Sequence, residues 1–120
     1  MLEHVSVPVA DFAKSKKFYV AALKPLGYAL TEDYSDAAGF FEGGHTSFWI
    51  AKKDGHKGGI HVAFLAKSRE EVQGFHAAGL KAGGKDNGRP GQREGYGYAA
   101  FVYDPDGNNI EAVLFESGDK

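Results

Sequence analysis

The sequence repeats itself with an offset of 57 residues, and this internal repeat constrains the fold more than any other feature. Between residues 4 and 27, seven of 24 positions carry the same amino acid as the position 57 residues later. Each copy also shows the same order of features: an apolar strand, a polar cap, a helix and a glycine. We therefore predict one domain, 1–120, built from two copies of one unit, 1–57 and 58–120. The identical pairs are His4/His61, Val5/Val62, Phe18/Phe75, Ala21/Ala78, Leu23/Leu80, Lys24/Lys81 and Gly27/Gly84.

Each unit is predicted to have the element order βαβββ. Strands over 3–9 and 60–66 alternate between two faces, and a helix follows each of them. Asp11 is a candidate N-cap of the first helix, and Ser68 with Glu71 forms a capping-box pattern at the second. The class is α+β, with two βαβββ modules whose open sheet faces form a cupped, barrel-like cavity. Further strands are predicted near 28–34, 38–43, 46–52, 85–90, 96–103 and 109–116, the last two joined by a turn at Asp104-Pro105-Asp106-Gly107-Asn108.

Composition excludes several classes of partner. The chain has 14 basic and 16 acidic residues and a net charge of −2, so neither nucleic acid nor a membrane surface is an expected partner. The N-terminal segment lacks the pattern of a signal peptide. There is no cysteine, which fits a reducing compartment, and we expect a cytoplasmic protein.

Two histidines occupy the same position in the two copies. His4 and His61 lie on the strand face opposite Val5 and Val62, and we expect them to point into the cavity. Glu111 stands between apolar residues in the last strand, where a carboxylate needs a partner. Two imidazoles and one carboxylate are the ligand set of the 2-His-1-carboxylate site for Fe(II), Mn(II), Zn(II) or Ni(II). Alternatively, the histidines are hydrogen-bonded core residues and Glu111 is a charge at a strand edge.

The paired βαβββ units, the two strand-leading histidines and the segment from Asp104 to Glu111 resemble the vicinal oxygen chelate superfamily. This superfamily includes glyoxalase I, extradiol dioxygenases, fosfomycin-inactivating thiol transferases and bleomycin-binding proteins. The resemblance implies a metal held by His4, His61 and Glu111, with Glu111 also a candidate catalytic base. It further implies a homodimer.

Two departures argue against glyoxalase I activity. The fourth ligand of those enzymes, a glutamate, aligns with Trp49, and their glutathione-binding arginine aligns with Pro8. The extradiol enzymes carry an extra histidine on the second module, and the spare one here, His76, is predicted to lie on the helix surface. The thiol transferases have a tryptophan comparable to Trp49, but the C-terminus lacks their basic tail.

Five residues are candidates for contact with a substrate. Trp49 is either a cavity wall or core, and Ser6 shares the face of His4. Tyr96, Tyr98 and Arg93 either line a loop over the cavity mouth or form a plain solvent loop. Two function classes stay open. The first is a metal-dependent lyase, dioxygenase or transferase acting on a small oxygen-bearing molecule, and the second is a protein that sequesters an antibiotic-type small molecule without catalysis.

Overall fold

The structure is a computed structural model that describes residues 1–119, and the predicted order βαβββ occurs in it twice. The strands and helices are β1 (Val5–Val9), α1 (Phe12–Leu23), β2 (Ala29–Asp33), β3 (Ala37–Glu42), β4 (His45–Lys52), β5 (His61–Leu65), α2 (Arg69–Lys81), β6 (Lys85–Gln92), β7 (Tyr98–Tyr103) and β8 (Asn109–Leu114), with a short 3-10 helix at Lys24–Leu26 after α1.

The two units form equivalent sheets. The strand order is β1-β4-β3-β2 in the first sheet and β5-β8-β7-β6 in the second, each with one parallel pair and two antiparallel pairs. The α+β class of two βαβββ modules is therefore confirmed. In residues 1–119 the strands stay in two separate sheets rather than one closed barrel. Each sheet packs one face on the helices, which also contact each other, and the opposite face of each stays largely open.

Helix α1 begins and ends where local chemistry requires it. The side chain of Asp11 accepts a hydrogen bond from the Lys14 amide at 3.2 Å, as the capping prediction expected. Helix α1 ends at Leu23, two residues before Pro25, and Gly27 then adopts a left-handed conformation with φ of 89° at the end of the 3-10 helix. The buried face of helix α1 consists of Ser15, Phe18, Tyr19, Ala22 and Leu23.

Helix α2 starts with the predicted capping pair. The Ser68 hydroxyl accepts from the Glu71 amide at 3.1 Å, and the Glu71 carboxylate accepts from the Lys67 amide at 2.8 Å. In the usual capping box the glutamate carboxylate accepts from the amide of the N-cap residue, which is Ser68. Here it accepts from the amide of Lys67, one residue earlier. Both helix starts were readable from the sequence because the capping partners are only three or four residues apart.

The core joins the two units through aromatic side chains. The rings of Phe48 on β4 and Phe64 on β5 meet edge to face, with centroids 5.0 Å apart. Phe48 also contacts Tyr19 of α1, at 5.2 Å between centroids. The two units therefore share one continuous apolar core on their helix-covered faces.

His76 corrects the prediction that it lies on the surface. Its residue exposure is 9%, and its Nε2 lies 2.9 Å from Asp86 Oδ1 on β6. This contact and the Gly88 amide, which donates to the same carboxylate, lower the pKa of Asp86. The contact between His76 and Asp86 joins helix α2 to the edge strand β6.

The turn between β7 and β8 holds the second unit against the first. Buried Asp104 accepts from the Tyr19 hydroxyl of α1 at 2.5 Å and from the Asn108 side-chain amide at 2.9 Å. Asp106 accepts from the Ala10 amide at 2.6 Å. We call these contacts the Asp104 clasp. The predicted turn therefore also has a long-range role that its local pattern did not reveal.

Replacing Gly84 is expected to destabilise the fold by steric conflict. A Cβ at Gly84 would stand 2.5 Å from Val102 and 2.6 Å from Phe18, both in the core. We expect Gly84→Ala to lower the free energy of unfolding by about 1–3 kcal/mol. Urea denaturation measures this, with Lys81→Ala on the exposed end of α2 as the control. A Gly84→Ala protein as stable as the control would contradict the close packing described.

Candidate functional site

His61 and Glu111 meet on the open face of the second sheet. In the parallel pairing of β5 with β8, Ala63 lies opposite Glu111, so His61, Ala63 and Glu111 share one face. The imidazole Nε2 of His61 lies 2.8 Å from Glu111 Oε1. The structure therefore brings together two of the three predicted metal ligands, one on each of the two neighbouring strands.

Burial differs sharply between these two side chains. Glu111 is 1% exposed, whereas the His61 side chain is 53% exposed. A carboxylate removed from water needs polar partners, and Glu111 has one for each oxygen. The pair thus presents its imidazole to solvent and keeps its carboxylate beneath the surface.

Tyr96 supplies the second partner of Glu111. Its hydroxyl donates to Oε2 of Glu111 at 2.7 Å from the loop between β6 and β7. Burial, followed by this hydrogen bond to the carboxylate, raises the pKa of Tyr96 to about 12. The phenol therefore stays protonated and donating across the neutral range. The structure places this predicted substrate residue directly on the carboxylate.

His4 is not part of this cluster in the single chain. Its ring Nδ1 lies 2.5 Å from the neighbouring carboxylate of Glu3. In residues 1–119 no three His, Asp or Glu side chains are grouped so that they could hold a metal ion. The convergence of His4 with His61 and Glu111 that the sequence predicts is therefore not formed within one chain.

The physical reason is that β1 and β5 belong to separate sheets and do not pair with each other. His4 lines a groove together with Val62–Lys67, which extends to the far end of β5 and does not include His61. The two histidines occupy equivalent positions in the repeat, but the fold places them apart.

This groove has a volume of about 710 Å³, which is within the usual range for small-molecule sites. Aromatic and aliphatic side chains from both units form most of its wall, and Glu42, Ser47 and Lys67 add polar groups. The apolar lining includes Val5, Tyr28, Phe48, Val62, Phe64 and Phe115.

Trp49 occupies in the first unit the position that Glu111 occupies in the second. Ser6 lies opposite Trp49 in the pairing of β1 with β4, as Ala63 lies opposite Glu111 in the other sheet. The half-buried indole lies against Gly39, where a Cβ would stand 3.0 Å from its ring. Trp49 and Ser6 therefore share the open face of the first sheet.

Tyr98 and Arg93 are placed differently from Tyr96. Tyr98 is buried on the helix-covered face, where its hydroxyl accepts from Gln73 of α2 at 3.0 Å. The Arg93 guanidinium donates to the carbonyl oxygens of Gly91 and Arg89, both at 2.8 Å. Of the three loop candidates, Tyr96 is the residue in contact with the cluster.

Phe101 is a neighbour of the site that sequence reasoning missed. It lies opposite Glu111 in the antiparallel pairing of β7 with β8. Its ring centroid is 6.4 Å from that of His61 and 5.4 Å from the Arg93 guanidinium carbon. Counting outward from the turn at 104–108 sets this register, so the signal was present in the sequence.

The sequence as a whole matches one family model. The model of the Glyoxalase/Bleomycin resistance protein/Dioxygenase superfamily covers residues 1–112. The chain belongs to this superfamily. The superfamily combines enzymes with resistance proteins, so membership alone does not separate the two function classes.

Solved structures of superfamily members share the fold. The chain is 35% identical to a glyoxalase/bleomycin resistance protein from Albidiferax ferrireducens T118, with a TM-score of 0.84, covering 97% of this chain and 99% of that one. It is also similar to a glyoxalase-related enzyme from Fulvimarina pelagi, at 17% identity and a TM-score of 0.76, covering 95% and 87%. A family enzyme from Burkholderia phytofirmans PsJN gives 16% identity and 0.74, covering 95% and 98%.

No curated protein matches this superfamily member. No helix within residues 1–119 has the length and apolar character needed to cross a membrane.

Proposed function

We propose that this superfamily member is a homodimeric metalloprotein that acts on a small oxygen-bearing molecule. A divalent metal ion would be held by His61 and Glu111 of one copy and His4 of a second copy. The observation that carries the proposal is the contact between His61 and Glu111 on one open sheet face.

The geometry of this pair fits two neighbouring metal ligands. Each ligand atom lies about 2.1 Å from a bound ion, so two ligands at a right angle are about 3 Å apart. The observed separation of the imidazole nitrogen and the carboxylate oxygen is 2.8 Å. Nitrogen and carboxylate donors suit Fe(II), Mn(II), Zn(II) or Ni(II). The fit is to two ligands, and a third must come from elsewhere.

A second copy of the chain is the proposed source of the third ligand. The open faces of both sheets need a cover, and Leu65 and Ala63 on the second of them are exposed. His4 is also exposed and sits at the beginning of the equivalent strand. In an isologous dimer the first unit of one copy would lie over the second unit of the other, which creates two equivalent sites.

The metal ion and the side chains around it would have different roles in the reaction. When bound, the metal would act as a Lewis acid for adjacent oxygens of the substrate. Glu111 would hold the ion through Oε1, next to His61, while Tyr96 engages Oε2, and the same carboxylate is the candidate base for a proton of the bound molecule. Trp49 and Ser6 would form part of the opposite wall. A lyase, dioxygenase or transferase reaction is compatible with this arrangement. We also propose a cytoplasmic location, because a chain without cysteine suits a reducing compartment.

A second candidate function is sequestration of a small molecule without catalysis. It is favoured by the aromatic groove of about 710 Å³ and by a Glu111 whose two oxygens both have partners within the chain. In that case the hydrogen bond between His61 and Glu111 would only stabilise the fold, and the groove would hold the ligand.

Metal titration of the full-length protein tests the proposal. Isothermal titration calorimetry with Mn(II), Zn(II) and Ni(II) should show about one ion per chain for the wild type. Glu111→Gln should weaken binding by at least about 100-fold, because it removes both a ligand atom and its charge. Glu70→Gln, the same substitution at an exposed position in the first turn of α2, is the control.

The outcomes separate the two functions. A wild type that binds no ion, or a Glu111→Gln variant that binds as tightly as the wild type, would refute the metal site. Retention of an apolar ligand in the groove by such a protein would then support sequestration.

A further inference from the structure

We propose that Tyr96 is a positioning residue that holds Glu111 so that only one carboxylate oxygen, Oε1, is available as a ligand. This inference rests on the proposed metal site, since it describes how that site uses Glu111. It assigns to Tyr96 a role on a protein ligand, where the sequence had suggested contact with substrate.

The contact is specific to one oxygen. The Tyr96 hydroxyl lies 2.7 Å from Oε2, and His61 lies 2.8 Å from Oε1. Among residues 1–119, the Tyr96 hydroxyl is the side-chain donor to Oε2. The two oxygens of one carboxylate thus have different neighbours, one a rigid phenol and the other an exposed imidazole.

The loop keeps Tyr96 in register with Glu111. The Arg93 amide donates to the Gly97 carbonyl at 2.9 Å, and the Tyr96 amide donates to the Arg93 carbonyl at 3.0 Å. Gly97 is pressed against β8, where a Cβ would stand 2.7 Å from the Leu114 carbonyl oxygen. The Tyr96 ring meets Phe115 edge to face, with centroids 5.2 Å apart. The tyrosine is therefore fixed against the strand that carries Glu111.

A consequence for the metal follows from this arrangement. A carboxylate with one oxygen engaged by a phenol gives the metal one oxygen, and more coordination positions stay free for a ligand with two adjacent oxygens. Without the phenol, Oε2 would be buried without a partner, and binding the metal with both oxygens would satisfy it. Tyr96 would thus set the number of open positions as well as the orientation of Glu111.

The test compares Tyr96→Phe with Tyr34→Phe. Tyr34 provides a matched control because its hydroxyl donates to Glu32 at 2.9 Å on the exposed surface of the first unit. Both proteins are titrated with Co(II), whose visible absorption reports the number of coordinated atoms. For Tyr96→Phe we expect a Co(II) spectrum shifted toward a higher number of coordinated atoms, and for Tyr34→Phe the wild-type spectrum.

A metal-free measurement separates this inference from the proposed function. Crystal structures of the metal-free wild type and Tyr96→Phe should show the Glu111 carboxylate rotated in the variant. Rotation in the variant together with no Co(II) binding by the wild type would support the positioning role and refute the metal site. An unmoved carboxylate, or a Co(II) spectrum identical to that of the wild type, would overturn the role of Tyr96.

Discussion

A hybrid dimer of His4→Ala and His61→Ala chains is expected to bind one metal ion, although neither variant binds one as a homodimer. In the proposed shared site, His4 of one copy would join His61 and Glu111 of the other. The hybrid therefore has one complete site and one site without either histidine, or about half the wild-type stoichiometry. Co-expression with two affinity tags and tandem purification isolates the hybrid, and elemental analysis counts the ions.

A second hybrid gives the opposite result and serves as the control. Pairing the wild-type chain with the double variant His4→Ala/His61→Ala leaves each shared site without one histidine, so we expect no bound ion. If each site were built within one chain, this hybrid would bind one ion and the first hybrid none. That reversed pattern would exclude a site shared between copies.

Replacing Asp104, the centre of the Asp104 clasp, is expected to lower the free energy of unfolding by more than Gly84→Ala does. Asp104→Ala would leave the buried Tyr19 hydroxyl, the Asn108 side-chain amide and the Asn108 backbone amide without their acceptor. We expect a decrease in the free energy of unfolding of about 3–5 kcal/mol. Urea denaturation measures it, with the exposed Asp54→Ala as the control, for which we expect a change within about 0.5 kcal/mol.

The clasp also predicts how stability depends on alkaline pH. Burial, together with the carboxylates of Asp104 and Asp106, raises the pKa of Tyr19 well above 10. A raised folded-state pKa gives stability that is complete below the unfolded value and is lost as pH rises above it. The wild type should therefore lose stability above about pH 10, and Tyr19→Phe should lose less over the same range. Equal slopes in the two proteins would contradict the contact between Tyr19 and Asp104.

Features that depend on near neighbours in the sequence were predictable. The cap of α1 at Asp11 and the capping pair of α2 need only the few residues that follow. The repeat extended this local information, because a strand recognised in one unit identified its counterpart in the other. The equivalence of Trp49 with Glu111 was also accessible, since both positions lie at matching registers.

Features that depend on packing between distant segments were not predictable in the same way. His76 received its partner from β6, whose sequence contains Asp86, Gly88 and Pro90 and shows little strand pattern. The relative placement of His4 and His61 depends on how the two units pack, which the repeat does not specify. The contact of Tyr96 with Glu111 required the path of a glycine-rich loop, whereas Tyr98 could have been assigned to the helix face with Ala100 and Val102.

The tryptophan at position 49 has a consequence for the charge of the proposed site. A dication held by two neutral imidazoles and a single carboxylate keeps a net charge of about +1. A second carboxylate at the position of Trp49 would reduce that charge to about zero. Because attraction between opposite charges is strong where water is excluded, the site as built would select anionic molecules over neutral ones of the same shape.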